Sequence, residues 1–160
     1  MIKKLKIYLD TSVINFLFAE DAPEKKEVTI DFFENYLYDF DVFISEIVIE
    51  EIFQTKNPKK LILLKNSLNN YNLIPYNELN SDIIELSELY LRNLIVPLNQ
   101  KEDAKHLAFA TYYEFDILLS WNFKHLANIN VQRKLNALNT ILGYNKPLLL
   151  HNPMELTYDK

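Results

Sequence analysis

The stretch Asp116-Ile117-Leu118-Leu119-Ser120 decides the fold class of this chain. Its uninterrupted large aliphatic residues are typical of a strand that is covered on both faces, as strands of parallel sheets are. The run Leu5-Lys6-Ile7-Tyr8-Leu9 predicts a first strand, and apolar residues recur at helical spacing between the strand candidates. Alternating strands and helices of this kind predict an α/β domain with a mainly parallel sheet.

The remaining elements follow from the same patterns and from turn residues. We expect strands at 5–9, 41–44, 72–75, 116–120 and 148–150, and helices at 11–18, 24–37, 45–53, 59–68, 81–94, 103–113 and 131–142. Pro75 cannot donate a ladder hydrogen bond, so the third strand should lie near an edge of the sheet. Gly143 should end the last long helix in a left-handed conformation. Residues 1–160 read as a single domain.

Composition excludes several classes of function. The chain has no cysteine, which excludes disulfides, thiolate nucleophiles and cysteine-bound zinc. Gly143 is the only glycine, so glycine-rich phosphate loops and dinucleotide fingerprints are excluded too. No signal peptide or long apolar span is evident, and we expect a soluble cytoplasmic protein with no membrane contact. The formal net charge of −5 does not indicate a general nucleic-acid binder.

Four polar residues stand where strands should end or helices begin: Asp10, Glu51, Asp103 and Asn122. Ligands of such sheets bind beyond the carboxyl ends of the strands, where the strand order reverses. These residues can meet there only if the first and fourth strands are neighbours. Converging carboxylates repel one another, which indicates a site for a hard divalent cation.

Each of these residues also has a simpler interpretation when it is taken alone. Asp10 could be a helix cap, Asp103 a partner of a helix dipole, Glu51 a solvated carboxylate and Asn122 a turn residue. His106, one turn after Asp103, permits an Asp-x-x-His zinc pair, although no third soft ligand is evident.

Four stretches in this order resemble the PIN domain, and most of all its bacterial VapC-like members. They are Tyr8-Leu9-Asp10-Thr11-Ser12, Ile44-Ser45-Glu46-Ile47-Val48-Ile49-Glu50-Glu51-Ile52, Asp103-Ala104-Lys105-His106-Leu107-Ala108 and Leu118-Leu119-Ser120-Trp121-Asn122-Phe123. The resemblance implies a three-layer α/β/α sandwich around a central sheet of four to five strands. It also implies an endoribonuclease that uses Mg²⁺ or Mn²⁺ to hydrolyse RNA phosphodiester bonds, a small antitoxin partner and a homodimer.

Roles for individual residues come with the same resemblance. Asp10, Glu51 and Asp103 are expected to hold the metal, and Asn122 takes the fourth catalytic position, where other members carry aspartate or asparagine. The metal would make water a better nucleophile toward phosphorus. The Ser12 and Ser120 hydroxyls are expected to orient the carboxylates. The site could hold either one metal ion or two.

Two other functions stay open. One is an RNA-processing nuclease without an antitoxin, and the other is a non-catalytic PIN-like module that binds nucleic acid or protein. Basic groups that could contact RNA are Lys56, Lys59 and Lys60, then Lys101 and Lys105, then Lys124, Arg133 and Lys134. Each group is most simply a solvated helix face. Trp121 and Phe123 are expected to pack in the core and at its rim, with stacking on single-stranded RNA as the alternative.

Overall fold

The computed structural model describes residues 2–76 and 79–157 as one α/β unit around a five-stranded, all-parallel sheet. The strands are β1 (Lys6–Leu9), β2 (Asp41–Ser45), β3 (Ile74–Tyr76), β4 (Ile117–Leu119) and β5 (Leu149–His151). Their order in the sheet is β3-β2-β1-β4-β5, so the first and fourth strands are neighbours. In register, Tyr8 lies opposite Leu118, and Leu9 lies opposite Leu119. The predicted α/β class with a parallel sheet is confirmed.

Helices flank this sheet, as the predicted three-layer sandwich requires. They are α1 (Thr11–Asn15), α2 (Pro23–Asp31), α3 (Glu46–Phe53), α4 (Pro58–Asn70), α5 (Ser81–Arg92), α6 (Lys101–Tyr112), α7 (Ile129–Ile141) and α8 (Pro153–Leu156). Parallel strands are joined almost always by right-handed crossovers, which place α1 to α4 on one face and α5 to α7 on the other. Accordingly α1, α3 and α4 contact one another, and α5 packs along α6.

Most of the predicted helices form, and capping side chains set the start of several of them. The Ser45 hydroxyl caps α3 by accepting from Val48 N, as predicted from its position after the second strand. Gly143 follows α7 with a φ of 93°, in the predicted left-handed region. The third strand lies at the edge of the sheet, which suits Pro75.

Several predicted boundaries were wrong. The helix predicted from Asp103 begins at Lys101, so Asp103 lies inside the first turn rather than opening it. Helix α5 ends at Arg92 because the chain turns at Leu94, whose φ is 54°. The helix expected over 24–37 is divided into α2, a π-helix at Phe32–Tyr36 and a 3-10 turn at Leu37–Asp39. Helix α8, which begins at Pro153, was not predicted.

The core is continuous across the sheet and fills both faces. Central strands supply fully buried residues such as Ile7, Leu9 and Leu118, while α6 contributes Leu107 and Phe109. This burial on both faces explains why β4 reads as an unbroken apolar run. Within the described residues, no helix is long and apolar enough to cross a membrane.

Candidate active site

The candidate site lies at the carboxyl ends of β1 and β4, the two central strands. Strand order reverses here, since β2 and β3 lie on one side of β1 whereas β4 and β5 lie on the other. Asp10 follows β1 directly, and its amide N donates to Leu119 O at 3.1 Å. The sheet thereby holds Asp10 beside Ser120, which follows β4. This edge is where open α/β sheets commonly bind their ligands.

Two serine hydroxyls clamp the Asp10 carboxylate. Ser12 Oγ donates to Oδ1 at 2.6 Å, and Ser120 Oγ donates to Oδ2 at 2.6 Å. The backbone N of Trp121 donates in turn to Ser12 Oγ at 2.9 Å. Val13 N also approaches Oδ1 at 3.4 Å, which makes Asp10 the N-cap of α1. Asp10 is therefore both a helix cap and a fixed carboxylate with a single orientation.

A second chain of hydrogen bonds links this clamp to Asp103. The backbone N of Asn122 donates to Ser120 Oγ at 2.9 Å, and Asn122 Nδ2 donates to Asp103 Oδ2 at 3.2 Å. The side-chain oxygen of Asn122, Oδ1, accepts from Lys124 N and His125 N at 3.2 and 3.0 Å. Its two lone pairs are thus engaged in the turn, and its amide is held on Asp103. An unbroken path joins Asp10, Ser120, Asn122 and Asp103.

A buried histidine connects the third carboxylate to the sheet. His106 Nε2 lies 2.8 Å from Glu51 Oε1, and Nδ1 lies 2.6 Å from the Tyr8 hydroxyl. The Tyr8 hydroxyl also lies 2.7 Å from Ser45 Oγ. Each hydroxyl in this chain of hydrogen bonds can act as donor or as acceptor, so the chain accommodates both neutral and protonated imidazole. The arrangement fixes Glu51, on α3, against α6.

Burial dominates the electrostatics of the two aspartates. It raises the pKa of Asp10, although the charge of His106 and the two serine hydroxyls oppose that rise. Burial also raises the pKa of Asp103 against the charges of His106 and His125. Among the described residues, neither aspartate forms an ion pair with a lysine or arginine. Their negative charges lack full compensation.

The Glu51–His106 pair behaves in the opposite way. Burial alone would lower the pKa of His106, but the Glu51 hydrogen bond and the charges of Glu51, Asp10 and Asp103 raise it. Burial likewise would raise the pKa of Glu51, and the contacts with His106 lower it instead. The pair therefore favours imidazolium and carboxylate. All three carboxylates contribute to the raised pKa of this one imidazole.

Thr11 is the one buried polar side chain without a hydrogen-bond partner among the described residues. Its hydroxyl contributes to lowering the pKa of Glu51 but has no acceptor within hydrogen-bond distance. The hydroxyl and the carboxylate are therefore near each other but not bonded. An unpaired buried hydroxyl is costly, so a small shift of Glu51 toward Thr11 would be stabilising.

The fit of a divalent cation rests on the chemistry of these donors. Mg²⁺ prefers oxygen ligands and is commonly bound through one or two carboxylates with several waters. Asp10 is buried, Asp103 is partly buried, and in the described part of the chain neither forms an ion pair with a lysine or arginine. Both carboxylates are therefore suitable ligands for such an ion. Over residues 2–76 and 79–157, however, no three acidic or histidine side chains are grouped closely enough to hold one ion together. Glu51, engaged by His106, is not drawn into such a group.

The structure links Asp10, Asn122 and Asp103 by hydrogen bonds that run through Ser120, whereas Glu51 is held by His106 outside this group. Asn122 contacts Asp103 rather than standing as an independent ligand. The zinc alternative does not fit, because both ring nitrogens of His106 are engaged by Tyr8 and Glu51. Trp121 is buried, and its indole N–H donates to Thr29 Oγ1. Phe123 is 40 % exposed.

Sequence reasoning missed the roles of Tyr8, Ser45 and His106. A signal was present for two of them: Tyr8 precedes Asp10 by two positions, and His106 follows Asp103 by one helical turn. Both spacings predict a common face, but neither shows that the face is buried. Comparison with known protein families finds no family that matches this chain, and comparison with curated proteins finds no significant relative.

Proposed function

We propose that this chain is a divalent-metal-dependent ribonuclease of the PIN-domain, VapC-like kind, acting on RNA phosphodiester bonds in the cytoplasm. The observation that supports this most is the hydrogen-bonded path from Asp10 through Ser120 and Asn122 to Asp103 at the strand-order reversal. Two partly uncompensated carboxylates on one rigid path are the donors that a magnesium-sized cation prefers.

Asp10 and Asp103 would hold Mg²⁺ or Mn²⁺, and Glu51 would approach it after a small movement. When bound there, such an ion would stabilise the charge on the phosphate oxygens and would lower the pKa of water. The chain's own residues then have defined tasks. Ser12 and Ser120 fix the carboxylate of Asp10, and Asn122 fixes that of Asp103. Because residue 122 is an asparagine, its side-chain amide donates a hydrogen bond to Asp103, whereas an aspartate at that position would repel the Asp103 carboxylate.

His106 would hold the Glu51 carboxylate at the mouth of the site. A cavity of about 140 Å³ opens beside Glu51 and is lined also by Glu50, Glu102 and Lys105. Glu51 would orient the attacking water rather than accept its proton, because its contacts with His106 lower the pKa of the carboxylate and make it a weak base. Tyr8 and Ser45 fix the other side of the ring and so act as positioning residues.

A second candidate is a non-catalytic PIN-like module that binds nucleic acid or protein. The observation that favours it is the direct contact of Glu51 with His106. A protonated imidazole there neutralises a carboxylate that a metal ion would need as a ligand. A small antitoxin partner and a homodimer belong to the first proposal as further parts of it. An RNA-processing nuclease would use the same residues without the antitoxin.

The two candidates are separated by assaying cleavage of labelled RNA with Mg²⁺ or Mn²⁺ and with a chelator. The nuclease proposal requires cleavage with either metal and none in chelator. RNA that stays intact with both metals, together with the absence of Mn²⁺ binding in calorimetry, would favour the binding module.

A further inference from the structure

Positive charge is concentrated in one part of this acidic chain. Residues 117–154 contain four lysines and arginines (Lys124, Arg133, Lys134 and Lys146) and no aspartate or glutamate, whereas the whole chain has a net charge of −5. Lys124, Arg133 and Lys134 are exposed. None of these three forms an ion pair in the part of the chain that the structure describes. Lys146, in contrast, pairs with Asp116.

These three side chains line two adjoining open depressions near the candidate site, which together form a shallow groove. Its first part, about 470 Å³, is bounded by Leu94, Ile95, Pro97, Lys124, His125, Asn128, Asn130, Val131 and Lys134. A second part of about 450 Å³ is bounded by Asn130, Arg133, Lys134 and Ala137. Asn130 and Lys134 line both parts. No acidic residue lines either part, so the groove presents positive and neutral polar groups beside an apolar wall.

His125 lies between the groove, which it lines, and the candidate active site. The backbone N of His125 donates to Asn122 Oδ1 at 3.0 Å, and Asn122 Nδ2 donates to Asp103 Oδ2 at 3.2 Å. One end of the groove therefore lies next to the residues that join Asp103 to Asp10.

We propose that this groove binds the backbone of single-stranded RNA and directs it across the carboxylate site, an inference that rests on the proposed ribonuclease function. Unpaired lysines and arginines neutralise phosphates and release counterions, which drives such binding. The apolar wall that the described residues form has no aromatic side chain for stacking, but the 60 % exposed Leu94 offers apolar contact to an unstacked base. Single strands suit an open groove because their bases are free to turn toward that wall.

The test compares two variants that remove the same charge. The groove variant carries Lys124→Gln, Arg133→Gln and Lys134→Gln, and the control carries Lys56→Gln, Lys59→Gln and Lys60→Gln around the start of α4. Fluorescence anisotropy measures binding of a labelled oligouridine of about 12 nucleotides, within the range of known single-strand sites. Chelator prevents cleavage, and salt is varied between about 50 and 200 mM.

The groove variant should bind at least roughly 10-fold more weakly, and the slope of log affinity against log salt should fall by about 2, since each lost phosphate contact removes about 0.7. The control should match the wild type in both respects. Equal binding by the groove variant, or an equal loss in the control, would overturn the proposal. Tighter binding of a matched DNA strand, or stronger competition by polyglutamate of equal charge than by RNA, would overturn the assignment to RNA.

Cleavage with Mn²⁺ is measured separately on the same RNA, so the two proposals can fail independently. Binding through the groove without any cleavage leaves the inference standing and removes the ribonuclease. Cleavage by a groove variant with unchanged KM and unchanged RNA binding leaves the ribonuclease standing and removes the groove. Thermal unfolding of both variants verifies that each is folded.

Discussion

His106 Nε2 lies 2.8 Å from Glu51 Oε1, and this contact joins a fully buried imidazole to a carboxylate that is 28 % exposed. The imidazole belongs to α6 and the carboxylate to α3, so the contact holds together two helices that lead to the same edge of the sheet. The Tyr8 hydroxyl fixes the other ring nitrogen. The core consequently determines the position of the Glu51 carboxylate.

Asp10→Asn should abolish RNA cleavage and leave the fold intact. Removing a metal-holding carboxylate should reduce cleavage by more than about 100-fold, the upper range for losing an outer partner. Because burial raises the pKa of Asp10, its charge opposes folding at neutral pH. The loss of one serine hydrogen bond is thus offset, and stability should change by no more than about 1 kcal/mol in urea titrations.

Asp116→Asn is the matched control for that substitution. Asp116 lies at the other end of the sheet, where it accepts from Lys6 N and pairs with Lys146. Burial would raise its pKa, but these contacts lower it, so its charge favours folding at neutral pH. This variant should lose about 1 kcal/mol of stability and keep full cleavage. Undiminished cleavage by Asp10→Asn, in protein free of contaminating nuclease, would refute the assignment.

Tyr8→Phe should lower both stability and cleavage. The change leaves the ring packed against Phe109 and Phe115 but deprives Ser45 Oγ and His106 Nδ1 of their partner. We expect a loss of about 1–3 kcal/mol and a fall in kcat with little change in KM, because Glu51 loses its fixed support. Nitrogen-15 NMR of His106 should show a changed protonation pattern.

Tyr90→Phe separates that effect from a general loss of stability. The Tyr90 hydroxyl is also buried, and it donates to Asn139 Oδ1 away from the candidate site. This variant should lose similar stability while keeping kcat and the His106 spectrum. If both tyrosine variants reduced cleavage equally, the chain from Tyr8 to Glu51 would have only a structural role.

Asn122→Asp should make the protein more dependent on divalent cations. The new carboxylate would face Asp103 without the amide hydrogen bond, and repulsion would destabilise the metal-free protein. Mn²⁺ should therefore raise the melting temperature of this variant more than that of the wild type. The comparison is made by thermal unfolding with Mn²⁺ and with chelator. An equal rise in both proteins would show that position 122 does not face the ion.

The Glu51–His106 pair predicts a pH-dependent contribution to stability. The pKa of His106 is raised above its ordinary value of 6.5, so its contribution is complete below that pH and lost as pH rises through the folded value. The pKa of Glu51 is lowered from 4.5, so its contribution is present above that pH and lost as pH falls through the folded value. The stabilisation should be largest between these two values.

Urea unfolding of the wild type and of Glu51→Gln measures this contribution. The difference in unfolding free energy should be largest between pH 4.5 and 6.5 and should shrink in more alkaline solution. Taking the difference between the two proteins reduces the opposite pH dependence of Asp10, whose pKa is raised, whereas part of the Asp103 contribution stays because the charge of Glu51 also raises the Asp103 pKa. A difference that does not change with pH would mean that His106 is not charged in the folded protein.

Local patterns in the sequence were sufficient to predict the sheet. An unbroken apolar run, one edge proline and one terminal glycine identified β4, β3 and the end of α7, because each reflects a local constraint on the backbone. The division of the segment after Pro23 was not predictable, since its π-helix depends on the tertiary packing of Phe32 and Phe33. The start of α6 was misplaced because Gln100, before it, makes no side-chain cap.

The candidate site was predictable only in part. The ends of the predicted strands give the positions of Asp10 and Asn122. These two residues come close to each other because β1 and β4 are adjacent in the sheet. The partners of His106 could not be predicted, because Tyr8, Ser45 and Glu51 come from three separate elements. The spacing of these residues along the sequence does not indicate that the sheet and two helices meet around one imidazole.

A crystal of the protein soaked with Mn²⁺ and measured at the manganese absorption edge tests the central claim most directly. We predict an anomalous peak that the Asp10 and Asp103 carboxylates hold directly, at about 2 Å, or through a water molecule. Glu51 should approach the same peak. A peak that neither aspartate contacts, or Asp10 and Asp103 without any ion in a crystal that binds manganese elsewhere, would contradict the account.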